Sequence, residues 1–106
     1  MRTRPVRGRD EMLRTPVSAR RLDILEWLKN PAAHFPKPRH GDPVEDGVTA
    51  DAMAEKLGVS RKVAETHLGL LVDLGLLRTK RIRRRVHYRR DEMRIAEVAR
   101  MFEKGW

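Results

Sequence analysis

The chain has no cysteine at any of its 106 positions. That excludes disulfides, thiolate metal centres and cysteine nucleophiles together. Aromatic residues make up 5%, too few for the stacking platforms on which single-stranded bases are held. No apolar run reaches the roughly 20 residues that span a bilayer, and the charged amino terminus has no apolar segment behind it, as a secretory signal would. The expectation is a soluble, cytoplasmic protein. Acidic side chains are missing from residues 78–90, where eight of the thirteen positions are Arg or Lys, and basic ones are missing from residues 42–55, which hold five acids. The net charge of +9 is therefore a patch. A concentrated basic patch attracts polyanions by long-range field and counterion release, duplex DNA foremost when rings are scarce. A glycine-rich phosphate loop, an HExxH pair and any Ser, His and carboxylate grouping that spacing supports are also absent, so neither an enzyme nor a cofactor is expected.

What is present suits one domain with a modest core. A chain this short buries only about two thirds of its unfolded surface, which makes a second copy a natural stabilising partner. Residues 1–15 carry Arg2, Arg4, Arg7, Arg9 and Arg14 with little to bury, and read as a mobile arm or one that orders on a partner; the domain proper is expected over 16–106. Ser18 suits a helix cap, and Leu22, Ile24, Leu25, Trp27 and Leu28 recur at helical spacing until Asn30-Pro31 ends the helix. From Phe35 to Gly47, three prolines and two glycines predict an extended surface loop. His34 and His40 lie near Asp42, Glu45 and Asp46, but their spacing matches no compact metal motif, so they are read as loop residues.

The densest pattern spans 49–74. Thr49 suits a helix cap, Ala52, Met53, Ala54 and Leu57 form an apolar face, and Gly58 permits the left-handed close. Ser60 then caps a second helix whose Ala64, Leu68 and Leu71 share one face, leaving Arg61, Lys62, Glu65 and Thr66 on the other near its amino end. Two extended segments follow within 76–90, with a hairpin tip near Arg83 to Arg85. Protecting a sheet edge from aggregation takes one or two lysines, so the run that includes Lys80, Arg81, Arg83, Arg84 and Arg85 points to phosphate contact. Asp91 suits the cap of a last helix over 91–104, with Ile95, Val98, Ala99 and Phe102 at three- and four-residue spacing.

The run Ala-x-x-Leu-Gly-Val-Ser ending at Ser60, His67-Leu68 with Leu71, Gly75-Leu76-Leu77, and Val86-His87-Tyr88-Arg89 together resemble the winged helix-turn-helix of the ArsR-like bacterial transcriptional repressors. The resemblance implies a mainly α fold with a small β-hairpin wing, a three-helix core and terminal dimerisation helices. It implies a sequence-specific regulator of double-stranded DNA that represses as a homodimer. The 60–74 helix would enter the major groove and the wing would lie on the backbone or minor groove. Ser60, Arg61, Lys62, Val63, Glu65 and Thr66 become the DNA-facing set, and His67 holds a family position. Leu22, Leu25 and Leu28 of the first helix and Ile95, Val98, Ala99 and Phe102 of the last become the dimer interface. Three departures stand out: the family's cysteine metal sites have no counterpart, the wing tip lacks its frequent glycine, and the 35–47 loop is longer than usual. The alternatives are an RNA-binding winged helix, since backbone charge does not separate duplexes, and a protein-interaction module, since fold does not fix function.

Overall fold

The computed structural model describes residues 18–38 and 41–101. The arm at 1–15, His40, and the end of the last helix with Phe102 and Trp106 lie outside the described residues. The elements in chain order are α1 (Ala19–Trp27), α2 (Pro31–His34), β1 (Val48–Thr49), α3 (Ala50–Leu57), α4 (Arg61–Asp73), β2 (Leu77–Ile82), β3 (Arg85–Arg90) and α5 (Glu92–Met101).

Local chemistry sets the boundaries. The Ser18 hydroxyl accepts from the Arg21 amide at 3.4 Å, Thr49 from Ala52 at 3.2 Å and Ser60 from Val63 at 3.2 Å, so each long helix up to α4 begins on a side-chain cap that satisfies an orphan amide. Asp91 does the same for α5 through the Arg94 amide at 3.1 Å. Gly58 closes α3 with φ of 72°, and its amide bonds back to the Ala54 carbonyl. Ser60 is then only two residues away, which makes the turn between α3 and α4 tight. The first helix is shorter than its apolar spacing suggested: it stops at Trp27, and Pro31 starts a separate turn whose cap is Asn30. Proline at the first position of a helix costs nothing because its missing amide would be unpaired there.

The sheet has the order β1-β3-β2 and is antiparallel throughout. The expected wing was a hairpin alone. Val48 and Thr49 add a third strand by pairing with Tyr88 and His87, and this fastens the start of α3 to the wing. Across the hairpin, Leu77 faces Arg90, Thr79 faces Tyr88 and Ile82 faces Arg85. Side-chain alternation then puts Thr79, Arg81, Val86 and Tyr88 on one face and Lys80, Ile82 and His87 on the other.

A single core joins these layers. Ile24 and Leu25 from α1, Met53 from α3, Ala64, Leu68 and Leu71 from α4, and Leu76 are almost wholly buried, and Ile95 and Val98 from α5 belong to the same cluster. The placement corrects one expectation. Leu25, Leu28, Ile95, Val98 and Ala99, assigned from the resemblance to a subunit interface, are buried within one copy of the chain, and Leu22 is partly buried against the same core. A small domain has too little apolar surface to leave both terminal helix faces open. Arg90 pins the arrangement: it is 8% exposed and donates to the Leu25 carbonyl at 2.7 Å and to both oxygens of Glu92. That bond holds Glu92 below the usual carboxylate range. Trp27 is half-buried against the core with the Lys56 ammonium 5.3 Å from its ring centre.

Candidate nucleic-acid interface

α4 sorts its side chains as its spacing predicted. With Ala64, Leu68 and Leu71 inside, Arg61, Lys62, Glu65 and Thr66 are exposed, and Val63 joins them at 41% exposure. Val63 thus has a side chain free to meet a methyl group or apolar edge. Ser60 is exposed but its oxygen is occupied by the cap, and the Thr66 hydroxyl donates back to the Lys62 carbonyl at 3.1 Å. Gly69 lies further along this exposed side, and a Cβ built there meets nothing within 4 Å. His67 goes elsewhere. It is half-buried toward α1, where its Nδ1 accepts from Arg21 Nε at 3.3 Å. Burial first, and then the charges of Arg21 and Arg20, lower its pKa, which keeps the ring neutral and suits a structural link between the two helices rather than a groove contact.

The wing brings its cations to the same region. Arg81, Arg84 and Arg85 from the hairpin meet Arg61 and Glu65 from α4 around a cavity of about 240 Å³, floored by Thr49, Ala50 and Tyr88. Tyr88 has its pKa raised, chiefly by burial and then by Glu65, so its hydroxyl stays a neutral donor among these charges. The tip is a two-residue turn, Arg83-Arg84, closed by the Ile82 and Arg85 pair. Both tip residues have positive φ, 48° and 71°, as a type I′ hairpin turn requires. Of the wing residues expected on phosphates, Lys80 and Arg83 do not line this cavity, and the Lys80 ammonium lies 2.6 Å from Asp46 of the preceding loop. That bond is the main reason the Asp46 carboxyl titrates below its ordinary value.

Sequence reasoning missed Asp51. One of its oxygens lies 2.8 Å from Arg85 Nη1 and the other 3.6 Å from Arg61 Nε, while Arg61 also donates to Glu65 at 3.2 Å. All four side chains are about half-exposed, and each such pair contributes only about 0.2 to 1 kcal/mol to stability. Their consequence is orientation. Asp51 bridges α4 to the wing, and Glu65 holds Arg61 along the helix. An acid in the first turn of α3 reads in sequence only as a favourable partner for the helix dipole, and nothing local in the chain marks a bridge to a residue 34 positions away.

A short helix pair with a tight turn, a small antiparallel sheet and an arginine-bearing hairpin beside the second helix define a winged helix-turn-helix protein. Neither a protein-family model nor a solved structure matches the chain. Among curated proteins it is similar to the uncharacterized HTH-type transcriptional regulator YbzH of Bacillus subtilis (strain 168), with 35% identity over 79 residues that cover 74% of this chain and 79% of that one. The chain belongs to the HTH-type transcriptional regulators. Among the described residues, no helix is long and apolar enough to cross a membrane.

Proposed function

We propose that the chain is a sequence-specific, double-stranded-DNA-binding repressor of the ArsR-like kind, with α4 in the major groove and the wing on the backbone or minor groove. The observation that carries this is the meeting of α4 and wing cations around one cavity, where Arg61 and Glu65 face Arg81, Arg84 and Arg85, with Lys62, Val63 and Thr66 exposed on the same helix and Arg83 at the wing tip. Phosphate contacts from the wing supply affinity, and side chains of α4 at base edges supply sequence choice. Regulators of this shape bind twofold sites, and we propose a homodimer. The apolar side chains left free on α5 for a partner are Met93 and Met101, 81% and 67% exposed, rather than Ile95 and Val98. Two recognition helices would then reach half-sites about 34 to 36 Å apart.

The test is genomic footprinting with the purified protein, joined to duplex binding across a salt series. An enriched palindrome with steep salt dependence supports the proposal. Salt-insensitive binding to a protein, or preference for structured RNA, overturns it, and a monomer in sedimentation with and without duplex removes the dimer.

Asp51 gives this proposal a counterintuitive consequence. Its carboxylate faces the polyanion and holds two of the cations that would neutralise it, so Asp51→Asn frees Arg85 for phosphate and leaves Arg61 with Glu65 as its one acidic partner among the described residues. The expected outcome is tighter binding to random duplex and a salt slope steeper by up to about 0.9 for each phosphate gained, with a lower ratio of operator to random affinity. Competition binding at several salt concentrations checks it. An unchanged slope and ratio would show that Asp51 does not govern these arginines on DNA.

A further inference from the structure

A second cleft lies across the sheet from α4. It has a volume of about 580 Å³ and is walled by residues 35–38, Pro43 and Gly47 on one side and the wing on the other. Pockets for small molecules commonly run from about 300 to 1,000 Å³. Its apolar lining comes from Phe35, Val48 and Ile82, with Ala52 of α3 and the nearly buried His87 beside them. Its charged lining is Lys37, Arg83 and Arg85, and among the described residues no carboxylate lines it. Two of the loop's acids are engaged elsewhere: Asp46 takes Lys80 at 2.6 Å and the Asp42 amide at 2.8 Å, and Asp42 takes the Val44 amide at 2.8 Å. Those contacts hold the loop to the wing, so the cleft is a built feature of the fold. The loop's length is the feature of the sequence that the helix-turn-helix does not use.

We infer that this cleft binds a small amphipathic anion, a monocarboxylate on an apolar body of one or two rings, and that this ligand weakens DNA binding. An apolar lining offers burial to the ring system, and Lys37 and Arg83, which pair with no acid among the described residues, select one negative group together with Arg85, whose Nη1 already lies 2.8 Å from Asp51. The regulatory half of the inference rests on the DNA-binding proposal above. Arg85 lines both this cleft and the cavity beside α4, and Arg83 stands at the wing tip. A carboxylate held by these two side chains competes with phosphate for them. Linkage then requires that duplex and ligand weaken each other by the same factor.

The experiment is calorimetric titration of the full chain, without DNA, with 2-naphthoate, and with 2-naphthamide as the uncharged probe of the same shape. Binding of 2-naphthoate is expected with a dissociation constant on the order of 0.1 to 1 mM, with the amide weaker by about tenfold or more, as loss of a charge-assisted contact implies. Lys37→Glu reverses one cation on an exposed loop residue and is expected to weaken the carboxylate without affecting the amide. Ala52→Leu takes volume from the cleft and is expected to weaken both. Equal affinity for carboxylate and amide, or no saturable binding of either, overturns the site, and so does an unchanged affinity in both variants. In a second arm, saturating 2-naphthoate is added to a duplex titration, where about a tenfold loss of affinity is expected. Carboxylate binding with no effect on the duplex overturns the regulatory half and keeps the site. Carboxylate binding by a protein that binds no duplex leaves the site standing while the DNA-binding proposal falls.

Discussion

Gly47→Ala is expected to be among the most damaging single-methyl changes in this protein. Gly47 has a φ of 100°, and a Cβ built on it collides with the Tyr88 carbonyl oxygen and lies 2.5 Å from its carbon. The obstacle is backbone of the central strand, which cannot turn aside as a side chain can. Backbone strain at such a φ and overpacking against β3 add to a loss of about 2 to 6 kcal/mol. Domains of this size have only about 5 to 15 kcal/mol in all, so the variant loses a large share of its stability. The damage also falls where function is organised. Gly47 delivers Val48 and Thr49 to β3, and Thr49 caps α3, so relief of the clash separates the helix-turn-helix from the wing. Denaturant melts check this, with Gly58→Ala as the reference. Gly58 has φ of 72° but nothing within 4 Å of its built Cβ, so that change carries only the left-handed cost of about 1 to 2 kcal/mol. If Gly47→Ala lowers the unfolding midpoint no more than Gly58→Ala, β1 does not hold the wing as described.

The contrast between those glycines shows which parts of the molecule were legible in the chain. Thr49, Gly58 and Ser60 act through residues two to four positions away, and local chemistry of that kind is written in the sequence. Gly47 acts through Tyr88, and β1 is two residues long, too short for any alternation to declare a strand. The apolar faces of α1 and α5 were equally plain from their spacing. Spacing tells which side of a helix is apolar, however, and not what covers it, so side chains of the internal core were assigned to a partner. The same gap separates Arg90 from its neighbours. In sequence it ends a run of surface cations; in the fold it pairs across from Leu77 and is buried with the Leu25 carbonyl. His67 and Asp51 were misplaced or missed because their partners, Arg21 and Arg85, lie 46 and 34 residues away.

The tip of the wing separates stability from binding most cleanly. Arg83 and Arg84 both hold positive φ, a conformation that costs a side-chain-bearing residue about 1 to 2 kcal/mol and that Asn-Gly adopts readily. Replacing them together, Arg83→Asn with Arg84→Gly, keeps the two-residue turn and the Ile82 and Arg85 pair, and is expected to raise the stability of the protein by about 1 kcal/mol or more. The same change removes two cations from the surface proposed to meet phosphate. Duplex affinity is therefore expected to fall for every sequence alike, and the salt slope to flatten by as much as about 1.8, which is 0.9 for each of two phosphate contacts. Alanine at both positions would confuse these effects, because alanine removes charge while keeping the strain. The measurements are a thermal melt and duplex titrations from low to moderate salt on the same preparation. A variant that is more stable and binds random duplex more weakly shows that two strained arginines occupy a turn better suited to other residues because they contact the backbone. A variant that is more stable and binds with unchanged slope removes the tip from the interface and leaves Arg81 and Arg85 to carry the wing's part.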